Sequence, residues 1–166
     1  YLQANGHLVW DAPPGKYTII RMGKRVTGAS SRPAPDPAIG LECDKMDTTA
    51  FKNHLKNFTD ILLKKTGQRK KEAGWTGFHM DSWESGAQNW TEGIVDEFKK
   101  RRGYDPEPYF VAYTGRAIES AEITERFLWD LRQTCKELVL ENHIEFGKKY
   151  AHRNGLELTI EPYDMN

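Results

Sequence analysis

The chain has 166 residues, enough for one domain with a real core, and its 24 Lys and Arg balance its 24 Asp and Glu. That balance removes the field that would gather nucleic acid or anionic lipid, so neither is expected as a partner. A hydrophobic content of 38% and a mean hydropathy of −0.73 fit a chain with much exposed helix, and no apolar run approaches the ~20 residues of a membrane span. The first residues lack the basic lead and apolar block of a secretion signal. Cys43 and Cys135 are too few for a disulfide framework and read as two unrelated thiols or as a single bridge.

In chain order, His7 to Trp10 is a short extended run, turned by Pro13-Pro14-Gly15. Tyr17-Thr18-Ile19-Ile20-Arg21-Met22 is β-branched and short, which predicts a strand. Gly23 to Gly40 has no periodicity and reads as a long loop, a length more often functional than idle. Asp47-Thr48-Thr49 opens a helix whose face is Phe51, Leu55, Phe58, Ile61 and Leu62, ending near Thr66-Gly67. The lysines at its end complement the helix dipole. Trp75 to Met80 is a second strand. Ile94, Val95 and Phe98 mark a short helix capped by Gly103, and Tyr109 to Tyr113 reads as a strand or an extended crossing. Helical spacing from about Ser120 to Asn154 follows, then the strand Leu156 to Ile160 ending on Glu161.

Strands alternating with covering helices imply a parallel sheet in an α/β fold, with its active site at the C-terminal strand ends. A (β/α)₈ barrel takes about 250 residues, so the expected architecture is part of a TIM-type barrel. Residues 1–16 would be the end of a preceding β-rich portion. Tyr1 enters mid-pattern and the sequence stops at Pro162 to Asn166, directly after a strand, so an excerpt of a larger polypeptide is expected. No Gly-x-Gly-x-x-Gly or Walker loop is present, so no nucleotide cofactor is expected.

The stretch Phe78 to Thr91 carries the chemistry. An apolar run stops at two acids, two indoles, two side-chain amides and a glycine, as a buried strand does on opening into a polar pocket. Glycoside cleavage uses two carboxyl groups flanking the scissile bond, one of them kept protonated by its surroundings. Glu84, beside Trp83 and near Asp81, is the candidate general acid; the other reading pairs it with a loop arginine such as Arg21. Glu161 is the candidate second carboxylate, as base or substrate ligand, or else an ion-paired strand-end acid. Asp44 and Lys45 either bind sugar hydroxyls or pair with each other, and Gln88 and Asn89 either hold hydroxyls or tie loops. Trp83 and Trp90 either stack on a pyranose face or belong to the core. Trp129 reads as packing and His79 as a hydrogen-bonded core histidine. No histidine spacing suggests zinc.

Several blocks, in order, resemble the catalytic region of the glycoside hydrolase family 106 α-L-rhamnosidases. They are Pro13 to Arg21, Gly40 to Lys45, Asp81 to Thr91, Arg101 to Asp105, Arg126 to Asp130, and Glu161-Pro162-Tyr163. The chain departs from the family at Asp164, where members often carry glycine. The resemblance implies an inverting enzyme that removes terminal L-rhamnose from plant or microbial polysaccharides, with calcium associated with the site and a periplasmic or secreted location. It implies an oligosaccharide or polysaccharide as partner and adds Arg21, Asp81 and Tyr163 to the candidate substrate contacts.

Overall fold

Asp47 starts the first helix by accepting a hydrogen bond from the Thr49 amide at 2.8 Å, which satisfies one of the donors a helix start leaves free. In the computed structural model, residues 1–31, 34–67, 74–83 and 86–161 are described. Helix α1 (Thr48–Leu55) runs through a π-helical segment (Lys56–Asp60) into α2 (Ile61–Thr66). Gly77–Met80 forms β1, and Ile94–Arg102 forms α3. Gly103 closes α3 at φ 83, a left-handed conformation that a side chain would resist. Helix α4 (Ala121–Val139) is capped by the Ser120 hydroxyl and continues through a π segment (Leu140–Glu145) into α5 (Phe146–Arg153). Strand β2 is Glu157–Ile160. The result is a mixed α/β fold in which β1 and β2 pair in parallel, Gly77 opposite Glu157 and Met80 opposite Ile160.

Two apolar clusters hold these pieces. Thr124, Phe127, Leu131, Thr134 and Leu138 form the buried stripe of α4, at the three- and four-residue steps that put side chains on one face. Phe127 packs on Phe98 of α3 and stacks on Tyr109, and Phe98 meets Tyr104 edge-on. Each such ring contributes about 2–3 kcal/mol by leaving water. Under the sheet, Phe51 contacts His143 and Phe146, and Gly147 leaves room for Met80 and Phe51. Polar groups join the layers. Arg101 reaches Glu97, Glu137 and Glu141, so α3 is clamped to α4 and its π segment. The fully buried Thr134 hydroxyl donates to the Asp130 carbonyl and accepts from Arg102.

The structure corrects three expectations. Tyr17 to Met22 is not a strand: no neighbour among the described residues accepts its ladder hydrogen bonds, and Ile19 is left 67% exposed. A strand exists only by pairing, whatever its propensity. Tyr109 to Tyr113 lies inside a 3₁₀ helix (Glu107–Thr114), because Pro106 and Pro108 fix φ at values suited to a first helical turn. Trp129 is 59% exposed on the outer side of α4 rather than packed. Among its described residues the long loop keeps an irregular course, broken by a short 3₁₀ turn (Asp36–Ala38) and a bridge between Ser30 and Leu41. The two described strands are far fewer than a closed barrel needs. Cys43 and Cys135 are separate thiols, and burial pushes Cys135 up to about 11.

Candidate functional site

Side chains along a strand alternate between faces, so the register of β1 and β2 decides what stands together. Phe78, Met80, Leu158 and Ile160 turn toward the helices and are half-buried. The opposite face carries His79 across from Thr159, and one step beyond them Asp81 and Glu161. The Glu161 amide donates to the Met80 carbonyl at 3.0 Å, which holds this last pair in line. His79 Nδ1 lies 2.9 Å from Thr159 Oγ1. The donor atoms of His79, Asp81 and Glu161 all fall within 4.8 Å of one another on an open face. Two carboxylates and an imidazole so placed can hold sugar hydroxyls, exchange protons, or share a cation. Calcium prefers six to eight oxygens: Asp81 and Glu161 fit that preference, and the His79 nitrogen does not.

His79 was the residue missed, since a core histidine was expected where an exposed one stands. The available signal was paired alternation, His79-x-Asp81 on one strand and Thr159-x-Glu161 on the other. It becomes readable only once the strands are known to pair in register.

A second feature is a hollow of about 470 Å³ between the loop at Lys24 to Ala29, the segment Leu41 to Lys45, and Trp83, Gln88 and Trp90 to Glu92. Asp44 anchors its floor. One carboxylate oxygen accepts from the Met46 amide at 2.8 Å and from the Gln88 side chain, and the other from the Thr91 hydroxyl at 2.7 Å. Gln88 in turn accepts from the Lys45 amide at 3.2 Å. Lys45 Nζ pairs with Glu42 at 2.5 Å and sits 5.2 Å from the centre of the Trp83 ring, a cation–π distance. The Trp83 indole N–H donates to the Gly86 carbonyl. Trp90 packs edge-on against Phe110, and its indole N–H is buried with no partner among the described residues.

The candidates therefore fall into two groups. Asp44, Lys45, Trp83 and Gln88 meet at the hollow, where Asp44 and Gln88 tie one loop to another and Lys45 pairs with Glu42 rather than Asp44. Asp81 and Glu161 meet at the strand ends. Arg21 stands apart on the exposed N-terminal segment, near Gly6. Asn89 is exposed, and its backbone carbonyl accepts from Tyr113 at 3.5 Å. Glu84 and Tyr163 lie outside the described residues.

None of the described helices is long and apolar enough to cross a membrane. Compared with known proteins, the sequence matches the family described as alpha-L-rhamnosidase, glycoside hydrolase family 106, over residues 1–166. It is 39% identical over 165 residues to a Formosa agariphila protein provisionally named a beta-glucuronidase, covering 98% of this chain and 14% of that protein. It also superposes on the solved rhamnosidase from Novosphingobium sp. PP1Y with a TM-score of 0.79 and 30% identity, covering 96% of this chain and 16% of that one. The chain thus spans about a seventh of the relatives it matches. With its full length matched by the family and with relatives of this similarity, the chain belongs to glycoside hydrolase family 106.

Proposed function

We propose that this chain is part of the catalytic (β/α)₈ barrel of an inverting glycosidase that removes terminal α-L-rhamnosyl units from plant or microbial polysaccharides outside the cytoplasm. The observation that carries the reading is the meeting of Asp81 and Glu161 at the C-terminal ends of paired parallel strands, with helices covering the other face. That is where a barrel keeps its chemistry. The β-branched Tyr17 to Met22, unpaired among the described residues, supports a sheet that gains strands from the rest of a longer polypeptide.

In this reading Glu84, three residues beyond Asp81, protonates the departing oxygen, and Glu161 is the second carboxylate, acting as base or holding the sugar. Asp81 and His79 orient hydroxyls beside it. Calcium, where bound, would be held by Asp81 and Glu161 and would supply positive charge to fix a vicinal pair of hydroxyls. A second reading, cleavage of a different sugar, is favoured by the name of the Formosa agariphila relative. The experiment is hydrolysis by the full-length protein of a rhamnosyl disaccharide, an aryl α-L-rhamnoside and an aryl β-D-glucuronide, with the first-formed anomer followed by proton NMR. Release of β-L-rhamnose supports the proposal. Turnover of the glucuronide alone supports the second reading, and binding without turnover of any substrate would leave a non-catalytic carbohydrate-binding relative. A Glu84→Gln variant with full activity on the disaccharide would remove Glu84 as the acid; an aryl substrate cannot decide this, because a good leaving group needs little protonation.

A further inference from the structure

Among the described residues, the ionic groups around the hollow beside Asp44 are matched except for one. Lys24 pairs with Glu92, Lys45 pairs with Glu42, and the Asp44 carboxylate is occupied by three uncharged donors. Arg25, in the same wall, has no ion pair or hydrogen bond among the described residues. Its guanidinium is always charged and presents a planar fork that matches a carboxylate or a sulfate. In the same wall stand a half-buried indole, Trp83, and a second indole, Trp90, whose N–H has no acceptor among the described residues. A hollow of about 470 Å³ is large enough for one sugar ring.

We infer that this hollow is a subsite for a saccharide unit bearing an oxyanion, a uronate carboxylate or a sulfate ester, with Arg25 as its anion contact and Trp83 as its apolar wall. The inference rests on the glycosidase reading, because the unit would be the neighbour of the sugar that is cleaved. It differs from that reading in naming the charge of the neighbour and the residue that reads it. A carboxylate in this position faces a free cation; a neutral hydroxymethyl group gains nothing from Arg25 beyond an ordinary hydrogen bond.

The test uses the full-length protein, as wild type, Arg25→Ala and Arg25→Lys. Three rhamnosyl disaccharides differ only in the second unit: glucose, glucuronate and sulfated glucose. The expected result is that Arg25→Ala raises KM for one or both anionic substrates about tenfold more than for the neutral one, with Arg25→Lys recovering part of the loss. Which anionic substrate responds identifies the group. Equal effects on neutral and anionic substrates would overturn the inference while leaving the glycosidase reading intact. Should the wild type turn over none of them, the rhamnosidase reading fails by itself. Calorimetry with glucuronate and with inorganic sulfate then decides on Arg25 alone: binding lost in Arg25→Ala supports the subsite, and no binding to the wild type refutes it.

Discussion

Gly77 stands against the Glu157 main chain across the β1–β2 pair, and Gly77→Ala tests whether that approach builds the site. A Cβ at position 77 would lie 2.6 Å from the Glu157 carbonyl oxygen and 3.2 Å from its carbon. The obstacle is main chain, held by the bond from the Glu157 amide to the Thr76 carbonyl at 2.9 Å, so no rotamer change relieves it. Alanine would return about 0.5–1 kcal/mol by restricting the unfolded chain. Forcing the strands apart costs about 1–3 kcal/mol, the range of an overpacked interior. The net expectation is a loss centred on about 1 kcal/mol, or roughly 2–4 °C in Tm. The damage is directional, because it travels two residues along the register to the His79–Thr159 contact at 2.9 Å. Denaturant titration would measure the stability, and hydrogen exchange of the Glu157 and Glu161 amides would locate the opening. An alanine variant as stable as the wild type, with both amides equally protected, would refute the reasoning.

Other expectations follow from the same contacts. Asp44→Ala strands three donors and should cost about 2–4 kcal/mol, whereas Asp44→Asn, which keeps one carbonyl acceptor, should cost about 1 kcal/mol; equal losses in denaturation would contradict the tie described for Asp44. Burial, helped by nearby Lys45, lowers His143 to about 4 from its usual 6.5. The unfolded chain therefore binds this proton first, so the stability from neutral His143 is complete above pH 6.5 and lost as pH falls toward 4. That loss is at most about 3 kcal/mol and should vanish from the pH profile of His143→Gln. Glu137 and Glu141, lowered by hydrogen bonds from Arg102 and Arg101, add a separate loss below about pH 4.5. Arg101→Met leaves Glu97, Glu137 and Glu141 without their shared cation and should cost about 2 kcal/mol in 0.1 M salt, less in 1 M; no salt dependence would show that the clamp is not electrostatic.

What could be read from the sequence was what depends on near neighbours. Asp47 before Phe51 and Leu55, Gly103 after four basic residues, and the long stripe through Phe127, Leu131 and Leu138 each contain their own instruction, and each formed the helix expected. The parallel order of β1 and β2 followed from the helices between them. Tyr17 to Met22 misled because strand propensity describes a side chain waiting for a neighbour, and the neighbour is not among the described residues. Tyr109 to Tyr113 is helical because Pro106 and Pro108 set the backbone of the turn that begins it, a local signal stronger than the strand propensity of its own residues. At the site, Asp81 and Glu161 were visible as acids at strand ends, but His79 needed the register. That Gln88 ties loops was one of its two readings, but its partner Asp44 could not be named, and Arg25 with its matched neighbours could not be read at all. Their partners lie more than forty residues away in sequence or are defined by what other charges have already taken.

The measurement that bears most directly on the strand-end site is the steady-state rate of the full-length protein on a rhamnosyl disaccharide with Glu161→Gln and Asp81→Asn, each checked for an unchanged melting temperature. If these carboxylates act on the sugar, each substitution lowers kcat/KM by a hundredfold or more, about 2.7 kcal/mol of transition-state stabilisation. If both folded variants stay within threefold of the wild type, the open face of β1 and β2 is not where the bond is broken.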